Sequence, residues 1–270
     1  MTTQDRGLAA LGLDGVPALQ PLSYPGLPVT APSLLTGAEL LPLGVRPGGI
    51  GAWEVAGRRL DALLTDLGQA DTAHRDPVIA VGSNASPGQL AHKLARHGLP
   101  DAVPMVPVRT RGIGVGCSAH IGRAGYVAAA PYPDPAAGAT LVVSWLDPAQ
   151  LAAVDGTELN YRRVLLRGDA HAMTLPSGEP LTAAYVYVST HSVLTDPATG
   201  LPRPGGGDQA ALLSALLDGS PVLRELLGPD PASWVCRAAA DPARRERGRR
   251  AFREAGWVRP ASFPGQADDA

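Results

Sequence analysis

Pro77-Val-Ile-Ala-Val-Gly-Ser-Asn84 is the stretch from which the fold of this chain is read. Pro77 to Val81 is a short apolar run of the kind that makes a buried strand, and Gly82-Ser83-Asn84 stops it. Ser86 follows, with Pro87 at a first helical position and Gln89 three residues on. That is a capping-box pattern for a helix that runs to about His97 and ends at Gly98. The order is strand, tight turn, helix. Such a turn presents backbone N–H groups beside a helix N-terminus, an arrangement that attracts anions. Ser83 and Asn84 add side-chain donors. The same spacing also fits an ordinary strand-to-helix turn.

Downstream, the pattern is one of short strands. Val108–Val115, Gly125–Ala129, Thr140–Leu146, Tyr161–Arg167, Ala170–Leu175 and Thr182–Val188 are separated by Gly and Pro turns, with Ser177-Gly178 as a hairpin signal between the last two. With 77–81 that makes seven strands, which predicts a closed or half-closed small barrel with inserted helices. The second inserted helix opens at Asp147, with Pro148 and Gln150 in capping positions, and ends near Asp155-Gly156. Glu158 then falls between a helix end and a strand start, where a carboxylate can face a cavity as readily as solvent. Arg162 and Arg163 alternate on the strand that follows, so one points inward and one outward.

Outside this region the chain is punctuated differently. Gly (32) and Pro (27) make up 59 of 270 residues, well above their ordinary combined share of about 12%. They are densest before residue 52, which predicts an irregular arm, packed from about residue 34 onward by Leu34, Leu35, Leu40, Leu41, Leu43, Ile50 and Trp53. A helix is expected at about 54–68. Beyond residue 189 the strand signals stop. Helices are expected at 209–217, 231–240 and 242–255, the last two each opened by Asp-Pro, and the final ten residues are expected to fray.

Composition excludes several classes. The net charge is −2 and only 4% of residues are aromatic, which gives neither a basic footprint nor stacking rings for nucleic acid. The 22 arginines stand against a single lysine, Lys93, which reads as a compositional bias. Two cysteines, Cys117 and Cys236, make neither a disulfide framework nor a metal site. No signal peptide and no membrane span is visible, so a cytoplasmic location without membrane association is expected. The six histidines show no metal-ligand spacing. Gly112-Ile-Gly-Val-Gly116 reads as a closely packed strand, not a nucleotide loop. Cys117 with His120 is a weak nucleophile pair. The arginines from Arg244 to Arg253 read as a solvated helix face.

Two runs taken together resemble the γ-glutamyl cyclotransferase-like proteins: Ile79-Ala-Val-Gly-Ser-Asn84, and Val154-Asp-Gly-Thr-Glu-Leu-Asn-Tyr-Arg-Arg-Val164, with 74 residues between Asn84 and Glu158. The likeness covers roughly residues 77–190. It implies an α+β fold, a small mixed β-barrel with inserted helices, carrying here an irregular N-terminal arm and a C-terminal helical segment. The corresponding parts are residues 1–75, 76–220 and 221–270. It implies a reaction in which the free α-amine of a γ-glutamyl group attacks its own γ-carbonyl, giving 5-oxoproline and a released amine or amino acid. Glu158 matches the catalytic glutamate, which takes a proton from the α-ammonium and returns one to the leaving group. Val81, Gly82, Ser83 and Asn84 match the substrate-binding turn, whose donors hold the α-carboxylate and the developing oxyanion. Tyr161 is a further pocket residue, within reach of Glu158 or substrate. No metal or cofactor is implied, and the expected partner is a small γ-glutamyl compound. Two positions depart from the pattern: Val81 replaces a tyrosine, and Leu159 replaces a glycine. They keep open an alternative, a catalytically inactive small-molecule-binding protein on the same barrel.

Overall fold

The apolar run after Asp76 becomes an interior strand of a mixed sheet. A computed structural model describes residues 5–263, and its strands are β1 (Ser33–Thr36), β2 (Glu39–Pro42), β3 (Glu54–Val55), β4 (Arg58–Arg59), β5 (Asp76–Ala80), β6 (Val103–Cys117), β7 (Ala129–Leu146), β8 (Tyr161–Arg167), β9 (Met173–Thr174), β10 (Ala183–Ser189), β11 (Val193–Leu194) and β12 (Val258–Arg259). The helices are α1 (Leu60–Asp66), α2 (Pro87–Arg96), α3 (Pro148–Asp155), α4 (Gln209–Gly219), α5 (Pro221–Leu227), α6 (Pro231–Ala240) and α7 (Pro242–Glu254). The main sheet runs β2-β1-β6-β7-β5-β10-β8, with β9 also paired to β6. β5 lies antiparallel to β7 and parallel to β10.

Both faces of this sheet are covered, which is why β5 is apolar without alternation. Ile79, Val143, Trp145 and Val186 point into one cluster with Trp53, Leu60, Leu64 and Phe263. Val78, Ala80, Val142 and Tyr187 point into another with Leu90 and Leu94 of α2 and Leu151 and Val154 of α3. A third cluster joins Leu213, Leu217, Trp234 and Phe252 of the C-terminal helices to Cys117, Ile121 and Val127.

Several expectations are corrected. The pairing path has two ends, β2 and β8, and no pairing among the described residues joins them, so the sheet does not close into a barrel by strand pairing. The two strands expected at 125–129 and 140–146 are one strand, β7, which passes through Pro131, Pro133 and Pro135. Those prolines alternate, so their missing N–H groups all fall on one side, and among the described residues only β6 pairs with that half of the strand. The 54–68 helix is a β3–β4 hairpin followed by α1 alone. The Ser177-Gly178 hairpin forms as expected, with Thr174 bridged antiparallel to Pro180 and the Leu181 N–H bonded to the Met173 carbonyl, but it ends before β10, which pairs with β8 and β5. After residue 189 the β11–β12 pair and α5 add to the expected helices. The arm is packed from further upstream than expected: Leu8, Tyr24 and Val29 are all buried. Of the final ten residues, Ala261 and Phe263 are buried, and 264–270 lie outside the described residues.

Two devices fix the elements around the candidate turn. The Asp147 capping box is complete, with Asp147 accepting from Ala149 and Gln150 and the Gln150 amide accepting from Asp147. The buried Arg75 guanidinium donates to Gln150 Oε1 at 3.0 Å and to the Ala102 carbonyl at 2.9 Å, which ties α3 to the end of the sheet. The expected box at Ser86 does not form. Gln89 instead accepts the Ala18 N–H of the arm at 3.0 Å. The arm crosses the first turn of α2 so closely that a Cβ at Gly88 would sit 2.7 Å from the Leu13 carbonyl oxygen.

Candidate active site

The chain leaves β5 through Val81 and Gly82 into a single 3-10 turn, Ser83–Ala85. Ala85 N–H bonds to the Gly82 carbonyl, while the first N–H groups of such a turn have no acceptor within it. At the other motif, α3 ends and two tight turns follow. Glu158 N–H bonds to Asp155 O at 3.1 Å, and Tyr161 N–H to Glu158 O at 2.8 Å. Glu158 is thus held between a helix end and β8, as its sequence position predicts.

The two motifs meet. Asn84 Nδ2 donates to Glu158 Oε1 at 3.1 Å. A third residue completes the contact. Lys93 Nζ lies 2.7 Å from Glu158 Oε1 and 2.8 Å from Asn84 Oδ1, with side-chain exposures of 10% for Lys93 and 16% for Glu158. One carboxylate oxygen takes both donors, and Oε2 takes neither. Lys93 sits in the second half of α2, one turn after the buried Leu90. Helical side chains lean toward the helix N-terminus, so its long stem reaches back to Asn84.

A wall of tyrosines stands beside this trio. Tyr24, from the arm, accepts the Ala129 N–H at 2.7 Å, and Tyr161 donates to the Ala129 carbonyl at 2.8 Å. Tyr126 stacks on Tyr24 with centroids 4.4 Å apart. Burial pushes the Tyr24 and Tyr161 hydroxyls far above their ordinary range and that of Tyr126 up to about 12, and the Glu158 charge acts in the same direction on all three. These rings stay neutral at physiological pH, with the Tyr24 and Tyr161 hydroxyls both bonded to the Ala129 backbone.

Of the sequence-derived residues, Asn84 and Glu158 are in direct contact. Val81 packs against the buried cluster of Tyr24, Ala128 and Ala129, as Tyr161 does. Gly82 lies under the Tyr24 hydroxyl, where any Cβ would collide. The Ser83 side chain makes no hydrogen bond among the described residues, and Tyr161 bonds to Ala129, not to Glu158. Leu159 is 85% exposed, so the loop accepts it by turning it into solvent. Arg163 pairs with Asp155 at 3.0 Å and lies over Tyr185, while Arg162 is exposed.

Lys93 and Tyr24 escaped the sequence reading. Lys93 is the sole lysine among 23 basic residues, and that rarity was the available signal. Tyr24 restores a ring and hydroxyl to the wall where Val81 lacks them, from 57 residues upstream. The weak pair Cys117 and His120 is not a pair. Cys117 Sγ bonds to Pro204 O and burial lifts its thiol to about 12, while His120 Nδ1 bonds to Ser118 Oγ at 2.6 Å. The arginines of α7 are not simply solvated: Arg249 bridges Glu246 and His191, and Arg245 donates to the Ala238 carbonyl.

Space at the site is shallow. A cavity of about 10 Å³, near the minimum for one water, lies beneath Asn84 against Ser144 and Val154. A groove of about 310 Å³ lies elsewhere, between Gln20–Ser23 and α6. No described helix is long and apolar enough to cross a membrane.

The chain is thus an α+β protein with a large mixed sheet, seven described helices and a glutamate–asparagine–lysine cluster at the end of its central strand. No family model and no curated protein matches it. Solved structures that align with it include a gamma-glutamyl cyclotransferase, 12% identical, with a TM-score of 0.36, over 72% of this chain and 94% of that one. A glutathione-specific gamma-glutamyl cyclotransferase from yeast is 13% identical, with a TM-score of 0.31, over 63% and 99%. A protein of Arabidopsis thaliana is 18% identical, with a TM-score of 0.32, over 43% of this chain and 62% of its own, so this chain spans less than two thirds of it.

Proposed function

We propose that this protein is a γ-glutamyl cyclotransferase-like enzyme. The observation that carries the reading is the 3.1 Å contact between Asn84 and Glu158, which joins the two family-like motifs across 74 residues of sequence. Glu158 accepts the proton of the substrate α-ammonium. The freed amine attacks the γ-carbonyl, and Glu158 returns the proton to the leaving nitrogen as the carbon–nitrogen bond breaks. The turn at Gly82–Asn84 faces the oxyanion with N–H donors that need no rearrangement. Ring closure is intramolecular, so holding the bent substrate against the Tyr24–Tyr161 wall supplies much of the rate. In this reading the mixed sheet stands for the family's small barrel, and the substrate is a small γ-glutamyl compound in the cytoplasm.

A second reading is a binding protein without turnover. It is favoured by the Lys93–Glu158 ion pair, which already compensates the carboxylate that must act as base. A panel of γ-glutamyl amino acids and γ-glutamyl amines, assayed for 5-oxoproline and for ligand-induced thermal shift, decides. The enzyme reading expects 5-oxoproline from at least one member. Thermal shifts without 5-oxoproline establish the binding reading.

A further inference from the structure

Lys93 has three N–H donors, and two are spent, on Glu158 Oε1 and Asn84 Oδ1. Glu158 has two oxygens, and both donors fall on one of them. Among the described residues, what remains at the site is one ammonium hydrogen beside one carboxylate oxygen. An adjacent plus and minus of this kind complements an α-amino acid head group, whose ammonium and carboxylate are carried on one carbon.

We propose that Lys93 is a specificity-determining residue that binds the substrate's free α-carboxylate while Glu158 Oε2 receives its α-ammonium. The inference rests on the cyclotransferase reading of this site and adds the residue that reads the α-carboxylate, Lys93, which the two family-like runs do not contain. The electrostatics require a cation here. An α-carboxylate brought beside Glu158 meets a like charge, and the ammonium of Lys93, itself in contact with Glu158, offsets that repulsion. Arg163 is committed to Asp155 and the Tyr185 ring. Lys93 is also not free to be exchanged for an apolar residue at no cost, because its loss leaves a partly buried carboxylate uncompensated.

The test compares two substrates with the same leaving group: a γ-glutamyl amide, and the matching 4-aminobutyryl amide, which keeps the amine and the scissile bond but lacks the α-carboxylate. Both cyclise to a lactam and release the same amine, so one assay follows both. The leaving group is the one best turned over in the panel, or L-alanine where none is. Wild type is expected to prefer the γ-glutamyl substrate in kcat/KM by about tenfold or more. Lys93→Met brings the two substrates to near parity, mainly through KM, and Lys93→Arg restores part of the preference. A lysine that merely supports the fold would lower both substrates together. An unchanged ratio in Lys93→Met therefore overturns the proposal while leaving the cyclotransferase reading intact. Where no turnover is found, calorimetric binding of the same two compounds to wild type and Lys93→Met reads the same ratio. Carboxylate-dependent binding that Lys93→Met abolishes then supports the proposal without the catalytic reading. Equal binding of the two compounds, or no binding of either, overturns it.

Discussion

Asn84 and Glu158 were legible in the sequence because the two runs that hold them carry the family resemblance together; the boundary position of each left its side-chain direction open, and it is the folded chain that brings the two into contact. Lys93 and Tyr24 were not, because each reaches the site through tertiary packing. The same limit applies to His120, which looked like half of a nucleophile pair and is a buried member of a different network. Its ring lies 4.9 Å from His191, which in turn accepts from Arg249, and its Nδ1 bonds to Ser118. Burial first, and then the neighbouring His191 and Arg249, lower its pKa from 6.5 to about 3. The native state therefore binds fewer protons than the unfolded chain at any pH between those values. The stability that neutral His120 contributes is fully present above pH 6.5 and falls as the pH drops below it. The shift corresponds to a loss of about 2 kcal/mol between pH 7 and pH 5. His191 is displaced in the same direction and adds to the slope. Urea unfolding at the two pH values should show this loss in wild type and a flatter dependence in His120→Asn. Equal slopes in the two proteins would remove His120 from the account.

At the scale of elements, the strands and helices that carry the site followed their sequence signals closely. β8, α2, α3, α6 and α7 lie within a residue or two of expectation: α3, α6 and α7 each open on an Asp-Pro cap, and α2 opens on Pro87. Proline is tolerated in a strand on an edge that has no partner, and among the described residues the outer half of β7 pairs with β6 alone. The capping box at Ser86 failed for a tertiary reason, because the arm claims Gln89. That docking makes a prediction at Gly88. An alanine within a helix gains about 1 kcal/mol over glycine in intrinsic propensity. Here its Cβ would press on the backbone of Leu13, Asp14 and Gly15 at 2.7–2.8 Å, and overpacking of that kind costs about 1–3 kcal/mol. The clash should win. Gly88→Ala is expected to be less stable than wild type in chemical denaturation, and its arm more readily cut by protease. A variant as stable as wild type, with a protected arm, would contradict the docking of the arm on α2.

At the scale of the whole molecule, the site draws on residues far apart in the chain. The arm brings Tyr24, β5 ends in the Gly82–Asn84 turn, α2 supplies Lys93, and the loop from α3 to β8 supplies Glu158. The buried clusters run across the same parts: Leu8 and Val29 of the arm pack with α2, and the C-terminal helices pack on residues 117–127. The excess of glycine and proline is what such an assembly needs, since close approaches such as Tyr24 over Gly82 leave no room for a side chain. The central claim is that this convergence makes a cyclising site with Glu158 as its acid and base. It is tested most directly by 5-oxoproline release from a γ-glutamyl substrate, measured for wild type and for Glu158→Gln, with the melting temperature of each recorded alongside. The account predicts release by wild type and a loss of about 100-fold or more in the folded variant. A folded Glu158→Gln protein that releases 5-oxoproline as fast as wild type would contradict it.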